Sequence, residues 1–293
     1  MFFKLASFFI LLDFKFERIL FNRYFSNFYC LLIRMKILLS NDDGVDASGI
    51  LAAKQVADEF GETIVVAPSK QQSGIGHALT LVEPIRVNEV NLRDGDIGYG
   101  VTGTPTDAVT IGIYEIMDDW PDLVISGINT GRNTGKGELS TSGTIGAATE
   151  AASLGIPTIA VSQHTPDDNI KFDEGHIEID FSSSQKVLRE LIQKVIDNGF
   201  PEGVDILNLN VPANPDSYEP KICPLATRMY EPVVEMRIDP RGRPYYWIDG
   251  VFYEGNPKDS DDYVLLEENV PTLTPLILDM AHDLDALKEW YDN

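Results

Sequence analysis

The run Ile37-Leu38-Leu39-Ser40 passes directly into Asn41-Asp42-Asp43-Gly44 and then into a helical pattern that starts near Ser48. This junction constrains the fold more than any other stretch. A short apolar run bounded by turn residues reads as a buried strand. After it, Ile50, Leu51, Val56, Ala57 and Phe60 recur at helical spacing, Gly61 stops the helix, and residues 63–67 form a second apolar strand closed by Pro68. Strand, helix and strand in about thirty residues make a βαβ unit, which implies a parallel sheet with a right-handed crossover. In open parallel sheets, ligands bind beyond the carboxyl ends of the strands. Two adjacent carboxylates there, Asp42 and Asp43, beside a turn glycine, make a site for a hard cation such as Mg²⁺. Asp and Gly also dominate ordinary turns, so the tetrapeptide alone reads first as a solvated turn. The later loops change that.

The α/β pattern continues. A polar loop, residues 68–77, follows the second strand and carries Ser73, Gly74 and His77. Residues 79–101 alternate apolar and polar, as antiparallel ribbon strands inserted in the unit do. Gly103-Thr104-Pro105-Thr106-Asp107 leads into a helix over 108–117, with Thr106 or Asp107 as its cap. A third parallel strand, 122–125, runs into a glycine-rich loop containing Asn129. Ser142-Gly143-Thr144 opens a helix over 145–154, and small hydroxyl residues with glycine at a helix N-terminus cradle anions on free N–H groups. Further expected elements are strands at 158–162 and 205–211, a helix over 181–199, a β-rich stretch from 216 to 275 and a closing helix over 276–291 with Leu284, Leu287 and Trp290 on one face. The domain reading is an α/β core over 35–215 and an extension over 216–293.

The three loops at strand ends supply two carboxylates (Asp42, Asp43), a hydroxyl (Ser73) and an amide oxygen (Asn129). That all-oxygen set suits Mg²⁺ or Mn²⁺. Beside an anion cradle at Ser142, Gly143 and Thr144, it points to a phosphate ester as substrate. The net charge of −23 argues against a nucleic-acid polymer or an anionic membrane as partner. Cys30 and Cys223 show no ligand spacing and are too few for a disulfide framework, as expected of a cytoplasmic protein. The four histidines are scattered without a zinc motif. No GxGxxG follows the first strand, which excludes a dinucleotide-dependent oxidoreductase. A haloacid-dehalogenase type of phosphatase wants Asp-x-Asp after that strand, where this chain has Asn-Asp-Asp-Gly.

Five ordered motifs now stand together: KILLSNDDG (36–44), APSKQQSG (67–74), GTPTD (103–107), SGINTGRNTG (126–135) and SGTIGAA (142–148), extended by DPRGRPYYW (239–247) and TPL (274–276). On these the chain resembles the survival protein SurE family of metal-dependent nucleotide phosphatases, over residues 35–280. The resemblance implies a Rossmann-like α/β three-layer sandwich with a mostly parallel sheet. It also implies a β-rich C-terminal extension exchanged between protomers of a homodimer, assembled in some members into a homotetramer. It implies hydrolysis of nucleoside 5′- and 3′-monophosphates, with short polyphosphate a substrate of some members. One Mg²⁺ or Mn²⁺ ion per subunit would be held by Asp42, Asp43, Ser73 and Asn129, with Asp42 and Asp43 catalytic. Phosphate contacts would fall on Asn41, Gly74, Ser142, Gly143 and Thr144. The chain departs from the family pattern at Thr141, where a tyrosine is usual, at Asp261-Asp262 in place of Thr-Asp, and at Asn269 in place of glycine. A non-catalytic nucleotide-binding protein on the same fold is the alternative from another class, and the intact Asp42, Asp43, Ser73 and Asn129 argue against it.

Residues 1–34 stand apart. They hold nine of the fourteen phenylalanines, with five basic residues against two acidic. Their longest uncharged run is too short to span a bilayer, and no cleavage site follows it. An interfacial amphipathic helix is one reading of this segment; the preferred one is that Met35, which opens directly onto a strand, is the true start and 1–34 a mis-called upstream extension, kept out of fold reasoning.

Overall fold

The computed structural model describes residues 34–165, 179–281 and 284–292. The reading of residues 1–34 falls, Arg34 aside, outside them. Strand β1 (Met35–Ser40) sits at the centre of a large sheet, between β2 (Gly61–Pro68) and β5 (Leu123–Thr130). Beyond β5 come β6 (Thr158–His164) and β7 (Ile206–Pro212), then β11 (Thr272–Leu276) and β8 (Lys221–Ile222). Beyond β2 lie β4 (Ile97–Val101) and β3 (Val87–Asn91). The pairs β1–β5, β5–β6, β6–β7 and β2–β4 are parallel, whereas β3–β4 and β7–β11 are antiparallel. The mostly parallel α/β sheet expected from the βαβ pattern is therefore present. Strands covered on both faces read as continuous apolar runs, and Ile37, Leu38 and Leu39 are all fully buried. Each such side chain contributes about 1.5–3 kcal/mol of burial.

Helices cover both faces. On one, α2 (Pro105–Ile111) and α4 (Gly143–Ser153) pack together over the sheet, where Val109, Ala147 and Ala151 meet Leu38, Val66 and Val124. On the other, α1 (Ser48–Ala57) lies against β5 and α5 (Ser182–Asn198). Gln185 of α5 donates to the Ala52 carbonyl at 3.0 Å. Helix α1 approaches β5 so closely that a Cβ on Gly49 would stand 2.0 Å from the Ile128 carbonyl oxygen. A short α3 (Lys136–Leu139) precedes α4, and α6 (Asp261–Glu267) and α7 (Leu284–Asp292) lie in the C-terminal part. Strands β9 (Tyr230–Ile238) and β10 (Pro244–Phe252) form a separate antiparallel hairpin with Val234, Met236, Tyr246, Trp247 and Ile248 exposed.

Several local expectations are corrected. Helix α2 begins at Pro105 and is capped by Thr104, not by Thr106 or Asp107. The Asp107 N–H donates to Thr104 Oγ1 at 3.1 Å and the Thr104 N–H to Asp107 Oδ2 at 2.8 Å, a reciprocal capping box with proline at the first helical position. The helix also ends earlier, in a π turn over Gly112–Ile116. The third parallel strand does not stop at 125. It continues to Thr130 with a register shift between Ser126 and Asn129, so the first half of the glycine-rich stretch 126–135 is strand. Residues 79 and 81 are not strand, and only β3 and β4 form the inserted ribbon. Residues 272–276, split between a β-rich stretch and a closing helix in the sequence reading, form β11 on β7, and the closing helix covers only Leu284–Asp292. The β-rich stretch also contains α6, whose short span carries too few apolar positions for a helical period to stand out.

Candidate functional site

Asn41-Asp42-Asp43-Gly44 leaves the carboxyl end of β1 as a tight turn. The Asn41 amide closes it in both directions: Nδ2 donates to the Gly44 carbonyl and Gly44 N–H donates to Oδ1, each at 3.0 Å. Asn41 is fully buried, and its side chain serves the turn. Gly44, at φ +113°, takes a backbone conformation that a side chain would strain.

Three further segments meet this turn. The Gln72 N–H donates to the Asp42 carbonyl at 2.8 Å, which brings the loop with Ser73 and Gly74 alongside. Ser73 is exposed, and its Oγ accepts from Gln71 Nε2 at 3.1 Å. The Thr130 N–H donates to Asp43 Oδ2 at 3.0 Å, tying the second carboxylate to the end of β5 beside Asn129. Asn129 is 2% exposed, and its Nδ2 donates to the Gly131 carbonyl at 2.8 Å. The N-terminus of α4 completes the group. Thr144 Oγ1 donates to Asp42 Oδ1 at 2.6 Å, and a Cβ on Gly143 would meet Asp42 Oδ2 at 3.0 Å. Ser142 is the N-cap, accepting from Ile145 N–H at 3.2 Å. The structure thus brings Asp42, Gly143 and Thr144 together and ties Asp43 to the Thr130 backbone next to Asn129, with the Ser73 loop on the Asp42 backbone. Gly74 is exposed, with open space around its Cα.

The donor set is all oxygen, as a hard divalent cation requires. The first N–H groups of α4 have no partner within the helix, and with the dipole they favour an anion.

Two other polar clusters differ in character. Asp58, Asp94 and Asp96 converge at the surface, but the Lys54 ammonium already fills them at 2.9, 3.0 and 2.5 Å. Burial opposes the lysine charge and the three carboxylates outweigh it, so its pKa is raised. An added cation would have to displace that ammonium. His77 Nε2 lies 2.9 Å from Glu150 Oε2, whose other oxygen accepts from Thr110. Glu150 sits seven residues into α4 from Gly143, about 10 Å along the helix, which sets His77 back from the Asp42 cluster.

Sequence reasoning missed the supports. Asn133 N–H donates to Asn210 Oδ1 at 2.7 Å, Asn208 and Asn210 both donate to the Asn133 carbonyl, and Asn133 Nδ2 donates to Ser162 Oγ at 2.9 Å. This buried network pins the segment after Asn129. Its signal was the pair of asparagines in DILNLNV, polar residues at alternate positions of an otherwise apolar strand. Asp261 and Asp262 act likewise from α6: Asp261 accepts from Ala226 and Gly135 N–H groups, and Asp262 Oδ1 accepts from Arg132 Nε at 2.9 Å and Thr134 Oγ1 at 2.7 Å.

The fold and the polar cluster define a class: an open, mostly parallel α/β protein with an oxygen-rich site at the carboxyl edge of its central strands. Within that class the chain belongs to the survival protein SurE family, whose sequence model matches residues 37–232. It is 55% identical over 256 residues to the 5′-nucleotidase SurE of Methanobrevibacter smithii, covering 87% of this chain and 99% of that protein. It is 53% identical to the 5′-nucleotidase SurE of Methanothermobacter thermautotrophicus, covering 87% of this chain and 97% of the relative. In solved structures, the SurE protein from Aquifex aeolicus matches with a TM-score of 0.71 at 33% identity, over 88% of this chain and all of that one.

Proposed function

We propose that this protein is a divalent-cation-dependent phosphomonoesterase that hydrolyses nucleoside 5′- and 3′-monophosphates to nucleoside and phosphate, with short polyphosphate as a further substrate. The observation that carries this is the pair of adjacent carboxylates at the end of β1, Asp43 accepting from the Thr130 N–H next to Asn129 and Asp42 held by Thr144 at the N-terminus of α4. The names of relatives as similar as the Methanobrevibacter protein agree with it.

Asp42, Asp43, Ser73 and Asn129 would hold one Mg²⁺ or Mn²⁺ ion. Bound there, the cation supplies Lewis-acid polarisation of a phosphoryl oxygen. The Gly143 and Thr144 N–H groups bind other phosphoryl oxygens and stabilise charge as it develops. Thr144 Oγ1 holds Asp42 in place. The phosphorus is then open to in-line attack by water, with cleavage of the ester P–O bond. Asp42 is 3% exposed and packed between Thr144 and Gly143, which leaves little room for it to act as the nucleophile. Trapping of a phosphoryl group covalently bound to Asp42 during a single turnover would reverse that assignment.

The segment 216–293 adds β8 and β11 to the sheet and projects the β9–β10 hairpin, whose exposed apolar residues are the kind of patch that marks a protein interface. We assign this hairpin to exchange between protomers of a homodimer or homotetramer. Among the described residues no helix is long and apolar enough to cross a membrane, and we place the enzyme in the cytoplasm.

The test is phosphate release from a panel of nucleoside monophosphates by protein begun at Met35, with Mg²⁺, Mn²⁺ or EDTA, beside Asp42→Asn. Release that needs the cation and is abolished by Asp42→Asn is the expected result. A folded protein that binds nucleotide but releases no phosphate under any cation would overturn the reading in favour of a binding role.

A further inference from the structure

A cavity of about 470 Å³ opens at the carboxyl ends of β5 and β6, lined among others by Arg132, His164, Phe252, Tyr263, Glu254 and Glu267. Arg132 follows Asn129 by three residues, so their Cα atoms are at most about 11 Å apart. The Arg132 side chain is 1% exposed. Its Nε donates to Asp262, and its guanidinium lies 5.4 Å from the Tyr230 ring and 5.3 Å from the Phe252 ring. Its Nη2 is buried and has no hydrogen-bond partner among the described residues. Orphaned donors of this kind are rare in folded proteins, and one on the wall of a cavity marks a place for an acceptor.

The surroundings narrow that acceptor. Asp262, Glu254 and Glu267 share the wall, so a second phosphate would meet three carboxylates. A neutral planar heterocycle fits better, with an acceptor edge toward Arg132 and N–H groups toward a carboxylate. Arginine reads the O6 and N7 acceptors of guanine in this way. The guanine N1–H and N2–H₂ groups suit Glu267 or Glu254, and the aromatic rings on the wall offer a stacking surface. Adenine would instead turn its N6–H₂ donor on the guanidinium.

We propose that this cavity is the nucleobase subsite and that Arg132 selects 6-oxopurine nucleoside monophosphates, an inference that rests on the nucleotidase reading above. The test compares kcat/KM for GMP, AMP and ribose 5-phosphate in the wild type, Arg132→Lys, Arg132→Gln and the surface variant Glu254→Gln/Glu267→Gln. The wild type should favour GMP over AMP by about tenfold or more, and both Arg132 variants should lower that ratio about tenfold, together with the ratio of GMP to ribose 5-phosphate. Equal losses on all three substrates, or an unchanged GMP to AMP ratio, would overturn the proposal. If the Arg132 variants do not fold, the surface variant decides: a several-fold fall in the ratio supports the subsite and a wild-type ratio refutes it. If the wild type releases no phosphate from any substrate, the nucleotidase reading fails by itself, and calorimetry with guanosine and adenosine tests the subsite. Tighter binding of guanosine, weakened in the surface variant, supports it; equal or absent binding refutes it.

Discussion

Gly143→Ala separates the geometry around Asp42 from ordinary helix physics. Gly143 is the first residue of α4, and by propensity alone alanine would stabilise the helix by up to about 1 kcal/mol. The structure reverses the sign. A Cβ on Gly143 would stand 2.6 Å from Asp42 Cβ, 3.0 Å from Oδ2 and 3.2 Å from Cγ. Carbon pairs settle at about 3.5–4.0 Å, so Asp42 and the helix end must part by about 1 Å. Asp42 has little freedom to comply, because Thr144 Oγ1 holds its other oxygen at 2.6 Å and its backbone carbonyl carries the Gln72 N–H. Overpacking of this kind costs about 1–3 kcal/mol, for a net loss of up to about 2 kcal/mol once the full helix gain is subtracted. A shift of about 1 Å in a catalytic carboxylate lowers turnover on the order of 10²-fold. The assay is kcat/KM on a nucleoside monophosphate together with thermal melting, where the expected fall in Tm is up to about 8 °C. Gly137→Ala is the control, since its Cβ would meet only Arg228 Cβ at 3.6 Å, ordinary contact. A Gly143→Ala protein with raised Tm and kcat/KM within about twofold of wild type would refute the reasoning.

Thr144→Val keeps the shape but removes the hydroxyl bond to Asp42, so stability should fall by about 1.5–3 kcal/mol and cation affinity, read by calorimetry, should weaken; unchanged affinity would mean that Thr144 does not hold the carboxylate. Asp262→Ala leaves Arg132 as a buried charge without its carboxylate and should cost about 3–5 kcal/mol in chemical denaturation; a loss below about 1 kcal/mol would show that the pair is not buried in solution. Burial pushes the Asp261 carboxyl up to about 6, with the neighbouring Asp262 charge adding to the rise against hydrogen bonds from the Ala226, Gly135 and Asp262 N–H groups. The native state therefore takes up a proton that the unfolded chain, titrating near about 4, does not. The stabilisation from that proton is full below about pH 4 and is lost as pH rises through about 6. A ¹³C NMR titration of Asp261 should show its midpoint near 6, and a midpoint below about 4 would contradict this.

Much of the site was legible because its residues lie where local pattern is most informative. The strand Ile37–Ser40 and the helix from Ser48 place Asp42 and Asp43 at a carboxyl end without any long-range information, and Ser142-Gly143-Thr144 announces a helix start by composition alone. The cap of α2 was misplaced because proline at the first helical position moves the boundary back to Thr104, a one-turn effect that apolar periodicity does not register. The strand carrying Asn129 was cut short because glycines at 127 and 131 read as loop, whereas pairing with β6 holds the segment extended.

The sequence by itself determined the βαβ order, the oxygen character of the site and the glycines that let backbone approach it, since these depend on side-chain chemistry and on periods of 2 and 3.6 residues along a short stretch. Only the tertiary structure decided that Thr144 grips Asp42, that Thr130 N–H anchors Asp43, and that Asn133, Asn208 and Asn210 brace the segment after Asn129. It also decided that Thr272–Leu276 leaves the C-terminal part to pair with β7. Each of these joins residues far apart in the chain through hydrogen bonds of about 3 Å, and such a partner is chosen by the packing of the whole sheet, which no local pattern encodes.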